Sequence, residues 1–230
     1  MTHLKRAIAP KNWKIQKKGI TFIAKPSPGP HKFNDCITLD TLLKKTGYAD
    51  TTREVKKILN RGGIIVDGIV RKNNKFPVGS MDIIRIPTAK ETFRLLIFKD
   101  QVVLQPVKGD EATTKFNKIV GKIILPKKKI QLNLYDGRNI LVKKDDFKVG
   151  DSVIFDLDKK SIKEHLKMEK GAIVYLIGGK YRGQLGKLQE VGNSKYLQPS
   201  KIVLKTSDNQ KIETLQKYAF VVNDKLKISK

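Results

Sequence analysis

A chain in which 48 lysines and arginines face 22 aspartates and glutamates repels itself as it folds. The formal net charge is +26 over 230 residues, about one uncompensated positive charge for every nine. A compact fold with that excess calls for a polyanionic partner. Nucleic acid and an acidic membrane surface are the two classes that supply one. The charge is spread along the whole chain: residues 1–35 carry +7, 36–88 carry +5, and 89–168 and 169–230 carry +7 each. Per residue the first stretch is about twice as basic as the others, and none is acidic.

The membrane alternative finds little support. The longest apolar runs, such as Leu95-Leu96-Ile97-Phe98, are strand-sized and fall far short of the roughly 18 residues a spanning helix needs. Met1-Thr2-His3-Leu4-Lys5-Arg6 leads into no hydrophobic signal core. Thr2 stands where N-myristoylation needs glycine. The single cysteine, Cys36, excludes an internal disulfide framework and suits a reducing, cytoplasmic compartment. His3, His31 and His165 are too far apart in sequence for a zinc site. No metal, cofactor, membrane or small-molecule substrate is therefore expected.

Residues 1–35 show no sustained period, and Pro26, Pro28 and Pro30 stiffen the stretch. It reads as an extended basic arm of the kind that folds on binding RNA. Helical spacing starts at Leu39, Leu42 and Leu43, and Gly47 closes that helix. Thr51 and Glu54 form a capping box for a second helix with Val55, Ile58 and Leu59 on one stripe. Gly62-Gly63 ends it. The period then changes to two. Ile64-Ile65-Val66, Asp67-Gly68 and Ile69-Val70-Arg71 read as a hairpin with a type I′ turn, and Ile83–Ile86 as a further strand. Residues 36–88 thus form one compact module. Beyond it the chain reads as strands at 93–98, 102–105, 122–125, 130–135, 139–142 and 152–157. Asp136-Gly137 marks a second I′ hairpin, and Lys127-Lys128-Lys129 a loop tip. Strands at 172–177, 183–188, 201–205 and 217–222, separated by glycine turns, suggest a small barrel. The boundaries expected are an arm at 1–35, a helix-pair module at 36–88, a central β domain at 89–168 and a barrel at 169–230.

Three constellations bear on function. On the second helix Arg53, Lys56, Lys57 and Arg61 lie broadly opposite the apolar stripe, a spacing that follows phosphates without reading bases. A solvated lysine face is the plainer explanation, and the chain-wide charge favours RNA. Second, Lys180, Tyr181 and Arg182 project between Gly178-Gly179 and Gly183. A cation–aromatic–cation tip binds phosphate and stacks on an unpaired base, unless the glycines serve only the hairpin. Third, the arm offers His3, Lys5, Arg6, Lys11, Trp13, Lys14, Lys25, His31 and Lys32. Trp13 either stacks on a base or anchors the arm, and His31 either meets RNA or caps a turn. No catalytic group stands out. Asp145-Asp146 and Asp156 with Asp158 sit in turns beside lysines, and Cys36 has no orienting partner.

The order from Leu39 to Ile86, with Val66-Asp67-Gly68 and Met81-Asp82-Ile83-Ile84, resembles the αL RNA-binding motif, which implies RNA contacts at Arg53, Lys56, Lys57, Arg61 and Arg71. Lys170–Lys187 looks like a KOW motif, the signature of SH3-like barrels. Together with the arm, Pro28-Gly29-Pro30-His31-Lys32, Glu91-Thr92-Phe93-Arg94 and Asp136-Gly137-Arg138-Asn139, nearly the whole chain resembles small-subunit ribosomal protein four of the archaeal–eukaryotic type. Its end at Ile228-Ser229-Lys230 lacks the basic extension of eukaryotic members and looks archaeal. The resemblance implies an α+β multidomain protein: an extended basic arm, an αL RNA-binding module, a central β domain and a C-terminal SH3-like (KOW) β-barrel. It implies a non-enzymatic role in the small (30S) subunit, bound to small-subunit ribosomal RNA and neighbouring ribosomal proteins. The alternatives are a free RNA chaperone or KOW-type elongation factor, and an RNA-modification accessory protein.

Overall fold

The first helix, Leu39–Lys45, is short because both of its ends are capped close together. Thr38 accepts a hydrogen bond from the Thr41 N–H at its start, and Gly47 takes φ +80° just past its end. In the computed structural model, which describes residues 3–99, 101–126, 129–143, 145–192, 199–206, 209–224 and 226, the chain divides into two units, Met1–Lys115 and Phe116–Lys230.

The first unit contains, in chain order, β1 (Leu4–Lys5), β2 (Phe22–Ile23), β3 (Cys36–Thr38), α1 (Leu39–Lys45), α2 (Thr52–Asn60), β4 (Ile65–Val66), β5 (Ile69–Val70), β6 (Pro77–Gly79), β7 (Ile83–Ile86), β8 (Glu91–Phe98) and β9 (Gln101–Pro106). The capping box at the start of α2 is present in full: Thr51 Oγ1 accepts from the Glu54 N–H, and the Glu54 carboxylate accepts from the Thr51 and Asp50 N–H groups. Those backbone bonds, that to Asp50 first, hold the Glu54 carboxyl below its usual range. Asp67 (φ +50°) and Gly68 (φ +77°) form the I′ turn between β4 and β5. The antiparallel sheet runs in the order β5-β4-β7-β8-β9, and smaller ladders pair β1 with β2 and β3 with β6. Leu39, Leu42 and Leu43 of α1, Val55 and Leu59 of α2, and Ile64, Ile84, Leu95 and Ile97 of the sheet share one core.

Two expectations change in this unit. The sheet continues past residue 88. Ile86 stands opposite Glu91 across a tight turn in which Lys90 takes φ +54°. The expected break between 88 and 89 therefore falls within a hairpin. The arm also differs from an extended segment. Residues 6–8 and 11–13 are single 3-10 turns, β1 pairs with β2, and Leu4, Ala9 and Trp13 enter the first unit's core. Of the arm's apolar residues, Leu4, Ala9 and Trp13 are buried and Ile15 and Ile23 partly so, while Ile8, Ile20, Phe22 and Phe33 stay exposed.

The second unit carries β10, which begins at Thr114 in the first unit and runs to Leu125, then β11 (Lys129–Leu134), β12 (Asn139–Val142), β13 (Ser152–Asp156) and β14 (Ser161–Leu166), in the order β12-β11-β10-β13-β14. A second five-stranded antiparallel sheet follows: β15 (Ile173–Leu176), β16 (Leu185–Val191), β17 (Lys201–Thr206), β18 (Lys211–Leu215) and β19 (Ala219–Val222), ordered β18-β17-β16-β15-β19. Ile119, Leu132, Leu134 and Val153 fill the first of these cores, and Val174, Leu176, Leu188, Ile202, Leu204 and Val221 the second. The Asp136-Gly137 turn is not type I′. Only Gly137 has positive φ, and the bonds Gly137 N–H to Leu134 O and Leu134 N–H to Arg138 O close a three-residue loop. Such a loop is a type I turn followed by a left-handed glycine. Of the expected lysine loop tip, Lys129 begins β11, and Lys127 and Lys128 lie outside the described residues. No helix among the described residues is long and apolar enough to cross a membrane.

Candidate nucleic-acid interface

Helix α2 divides by residue type. Val55 and Leu59 are buried against α1 and the sheet, while Arg53, Lys56, Lys57 and Asn60 are exposed on the other side and Arg61 caps the helix, also exposed. None of these four cations makes an ion pair with a described residue. Lysines and arginines with water on one side and a rigid helix on the other are pre-positioned donors for phosphate oxygens. Arg71, just after β5, is held differently: its guanidinium lies 4.2 Å from the Phe76 ring centroid, half-buried and fixed in direction.

In the second unit the tip between β15 and β16 is shaped by its glycines. Gly179 and Gly183 take φ +81° and +86°. A Cβ on Gly178 would lie 2.6 Å from the Tyr218 ring. Lys180 is exposed with its ammonium 5.6 Å from the Tyr181 ring centroid. Tyr181 packs partly on the core of the β15–β19 sheet and Arg182 is half-buried. Sequence reasoning passed over Lys217, whose ammonium sits 5.0 Å from the Tyr218 ring. The repeat of the Lys-Tyr pair at 180–181 and 217–218 was the available signal.

The arm's candidates separate. His3, Lys5, Lys11, Lys14 and Lys32 are exposed, and Arg6 and Lys25 are half-buried. Two leave the set. Trp13 is fully buried and its indole N–H donates to the Cys36 carbonyl at 2.7 Å. The His31 ring is also buried, with Nε2 at 2.8 and 2.9 Å from the two carboxylate oxygens of Asp82. A Cβ on Gly79 would fall 2.3 Å from that ring, so glycine there is what admits the imidazole. Both side chains are spent on holding the arm and are out of reach of RNA.

Below His31 lies a group of charges that the sequence did not disclose. Lys115 donates from Nζ to Asp67 Oδ2 at 2.5 Å and to Asp82 Oδ1 at 2.6 Å. Asp82 also accepts from the Gly79 N–H at 2.8 Å, and Asp67 from the Ile83 N–H at 3.0 Å. Burial alone would raise the Asp82 carboxyl, yet His31, Lys115 and the Gly79 amide hold it far below the usual range. For Asp67 burial wins over Lys115 and its pKa is raised. These residues are too enclosed to meet a ligand.

Cys36 carries no nucleophile. Burial, followed by Asp35 and Asp82, pushes its thiol up to about 12, the reverse of what a reactive cysteine needs. The folded chain at pH 8 is expected to resist Ellman's reagent, with one thiol appearing only in denaturant. Fast labelling of the native chain would contradict the burial. Among the described residues no His, Cys, Asp or Glu group has metal-site geometry.

A short helix pair with an exposed cationic face, set on an antiparallel sheet, has the arrangement of an RNA-binding module. Three family models match along the chain: the RS4NT domain at residues 2–34, the S4 domain at 37–84, and the ribosomal family S4e at 89–162. A relative from Methanococcus maripaludis, small ribosomal subunit protein eS4, is 38% identical over 229 residues, covering 96% of this chain and 93% of its own. The protein of the same name from Methanosphaera stadtmanae is 40% identical over 222 residues, covering 96% and 91%. The crystal structure of the 30S ribosomal protein S4e from Thermoplasma acidophilum superposes with a TM-score of 0.68 at 27% identity, over 83% of this chain and 95% of that one. The chain belongs to the ribosomal S4e family, a family of ribosomal structural proteins and not of enzymes.

Proposed function

We propose that the chain is a structural constituent of the small ribosomal subunit that grips small-subunit ribosomal RNA at several separate points. The observation that carries this reading is the exposed face of α2 on the S4 module, where Arg53, Lys56, Lys57 and Arg61 form no ion pair with a described residue. Arg71 extends that face, the exposed arm lysines supply further phosphate contacts, and the Lys180–Arg182 tip supplies another in the second unit. The sheet β18-β17-β16-β15-β19, with its glycine-shaped tip, supports a KOW-type SH3-like barrel over 169–230. The αL module lies within the first unit together with the arm at 1–35 and the hairpin strands that continue its sheet past residue 88, and the central β region lies in the second unit. Neighbouring ribosomal proteins are the remaining partners, and the working location is the ribosome in the cytoplasm. Linking several weak contacts raises their combined affinity through effective concentration, so no single one need be strong.

The double variant Lys56→Glu/Lys57→Glu tests this in the full chain with a fragment of small-subunit ribosomal RNA. Each phosphate contact contributes about 0.7–0.9 to the slope of log K against log salt, so the slope is expected to flatten by about 2, with weaker binding. Unchanged affinity and slope would remove α2 from the interface. Retention of the chain on small subunits through a high-salt wash separates an integral component from a free chaperone or elongation factor.

A further inference from the structure

We propose that the outward side of the β1–β2 ribbon, formed by Lys5 and Phe22 with His3 against the Phe22 ring, is a stacking site for an unpaired nucleobase of the RNA. It rests on the RNA-binding reading above and adds a ligand chemistry to it. The ribbon pairs Leu4 with Ile23 and Lys5 with Phe22. Leu4 and Ile23 turn inward and pack on the first unit's core. Alternation then sends Lys5 and Phe22 outward, and Phe22 is 51% exposed.

An aromatic ring in that position leaves half of its surface in water, where it gives no burial energy. The ribbon is held without it, by the inward pair and by the Arg6 N–H bond to Thr21 O at 2.8 Å. The His3 and Phe22 rings meet nearly perpendicular, at 77° with centroids 5.1 Å apart. An edge-on contact of this type covers at most one face of the Phe22 ring. The cations nearby have separate duties. Lys17 Nζ donates to the carbonyls of Arg6, Ala7 and Ala9, so it closes the turn. Arg6 Nη1 donates to Gln16 O at 3.2 Å. Lys5, opposite Phe22 in the ladder, is exposed and makes no ion pair with a described residue. A ring with an open face beside an uncommitted ammonium matches a nucleotide: the base stacks on the ring and its phosphate meets the lysine. A protein partner would have to bring acidic groups to this most basic stretch of the chain, whereas an RNA strand brings charge and a flat apolar surface together.

The test uses the full chain with two RNAs, a hairpin with a loop of unpaired adenines and a fully paired duplex of the same stem. Phe22→Ala and Phe22→Leu are expected to bind the hairpin on the order of tenfold more weakly, to bind the duplex as the parent does, and to keep the parental salt slope, since the contact carries no charge. Phe22→Trp is expected to bind like the parent, with its added fluorescence quenched by the hairpin and not by the duplex. Parental affinity for the hairpin in both the Ala and Leu variants overturns the stacking site. Equal losses on both RNAs also overturn it, and point to a structural or protein-docking role for Phe22. If the parent binds neither RNA, the RNA-binding reading falls with it. If the parent binds both and the Phe22 variants match it, only the stacking site falls.

Discussion

Lys115→Met is expected to destabilise the first unit by about 3–5 kcal/mol at pH 7, the cost typical of breaking a buried ion pair by removing one partner. The side chain is nearly solvent-free, and both carboxylates it serves, Asp67 and Asp82, are buried with it. Methionine fills the space but leaves two buried carboxylates without the ammonium they share, Asp82 keeping only its bonds to the His31 ring and the Gly79 N–H. The native pair is already asymmetric: Asp82 is held far below the usual range and Asp67 is raised. Without the ammonium Asp67 rises further. A carboxyl whose folded pKa lies above its unfolded value of about 3.9 is favoured by acid. The deficit of Lys115→Met is therefore expected to shrink as pH falls from 7 toward 4, and to shrink at pH 7 in Lys115→Met/Asp67→Asn. In the parent, Asp82 gives the opposite sign: its contribution is present above about pH 4 and is lost as the pH falls below that. Urea unfolding followed through Trp13, the only tryptophan, reads both. A loss below about 1 kcal/mol, the range of surface pairs, would mean that the cluster is hydrated and not a structural tie.

That cluster also shows where reading the sequence stops. The module from Leu39 to Ile86 is legible because its signals are local: a capping box, apolar residues three and four apart, and two positive-φ turn residues between short strands. The cationic face of α2 follows from the same periodicity. By contrast, the strand expected at 122–125 begins eight residues earlier, at Thr114, in a stretch where Lys115, Asn117 and Lys118 interrupt the apolar alternation. In the structure all three are buried. Lys118 donates to the carbonyls of Gln216 and Lys217 at 3.0 Å, and its burial lowers its pKa to about 8. These partners lie about a hundred positions away in sequence, and no pattern on the strand announces them. Asp67 and Asp82 illustrate the same limit. Asp67 was legible as a turn residue and Asp82 as part of the αL resemblance, but the task both share, accepting from Lys115, depends on a strand that begins more than thirty residues later. β14 and β18 were missed for a related reason: as outer strands they bury little, with no buried residue in β14 and only Ile212 in β18, so short alternating stretches with few apolar residues did not stand out.

Trp13→Ala is expected to cost about 3–5 kcal/mol, the range for emptying a large aromatic site in a core, and to release the arm. The indole is fully buried among the first unit's apolar residues and bonds the Cys36 carbonyl at 2.7 Å. It arrives there through the turn at 11–13, which Lys14 leaves with φ +46°. Lys45 reinforces the site by donating to the Trp13 carbonyl at 3.5 Å and to the Val102 carbonyl at 3.3 Å. Trp13→Phe keeps much of the apolar area and loses the N–H donor, so its cost should be smaller, on the order of 1–3 kcal/mol. The functional consequence follows from charge. An arm with net +7 over 35 residues gains little by lying against a body that is itself basic. Apolar burial of Trp13, Leu4 and Ala9, together with the His31–Asp82 pair, is what offsets the repulsion. Removing the largest of those contributions should expose Lys5, Lys11, Lys14, Lys17 and Lys18 to trypsin at rates the parent does not show. RNA that carries the stacked base should restore protection, because it replaces repulsion with attraction. A variant that melts and resists trypsin like the parent would mean that the arm is held by the His31–Asp82 pair and the β1–β2 ribbon, with Trp13 a passenger in the core.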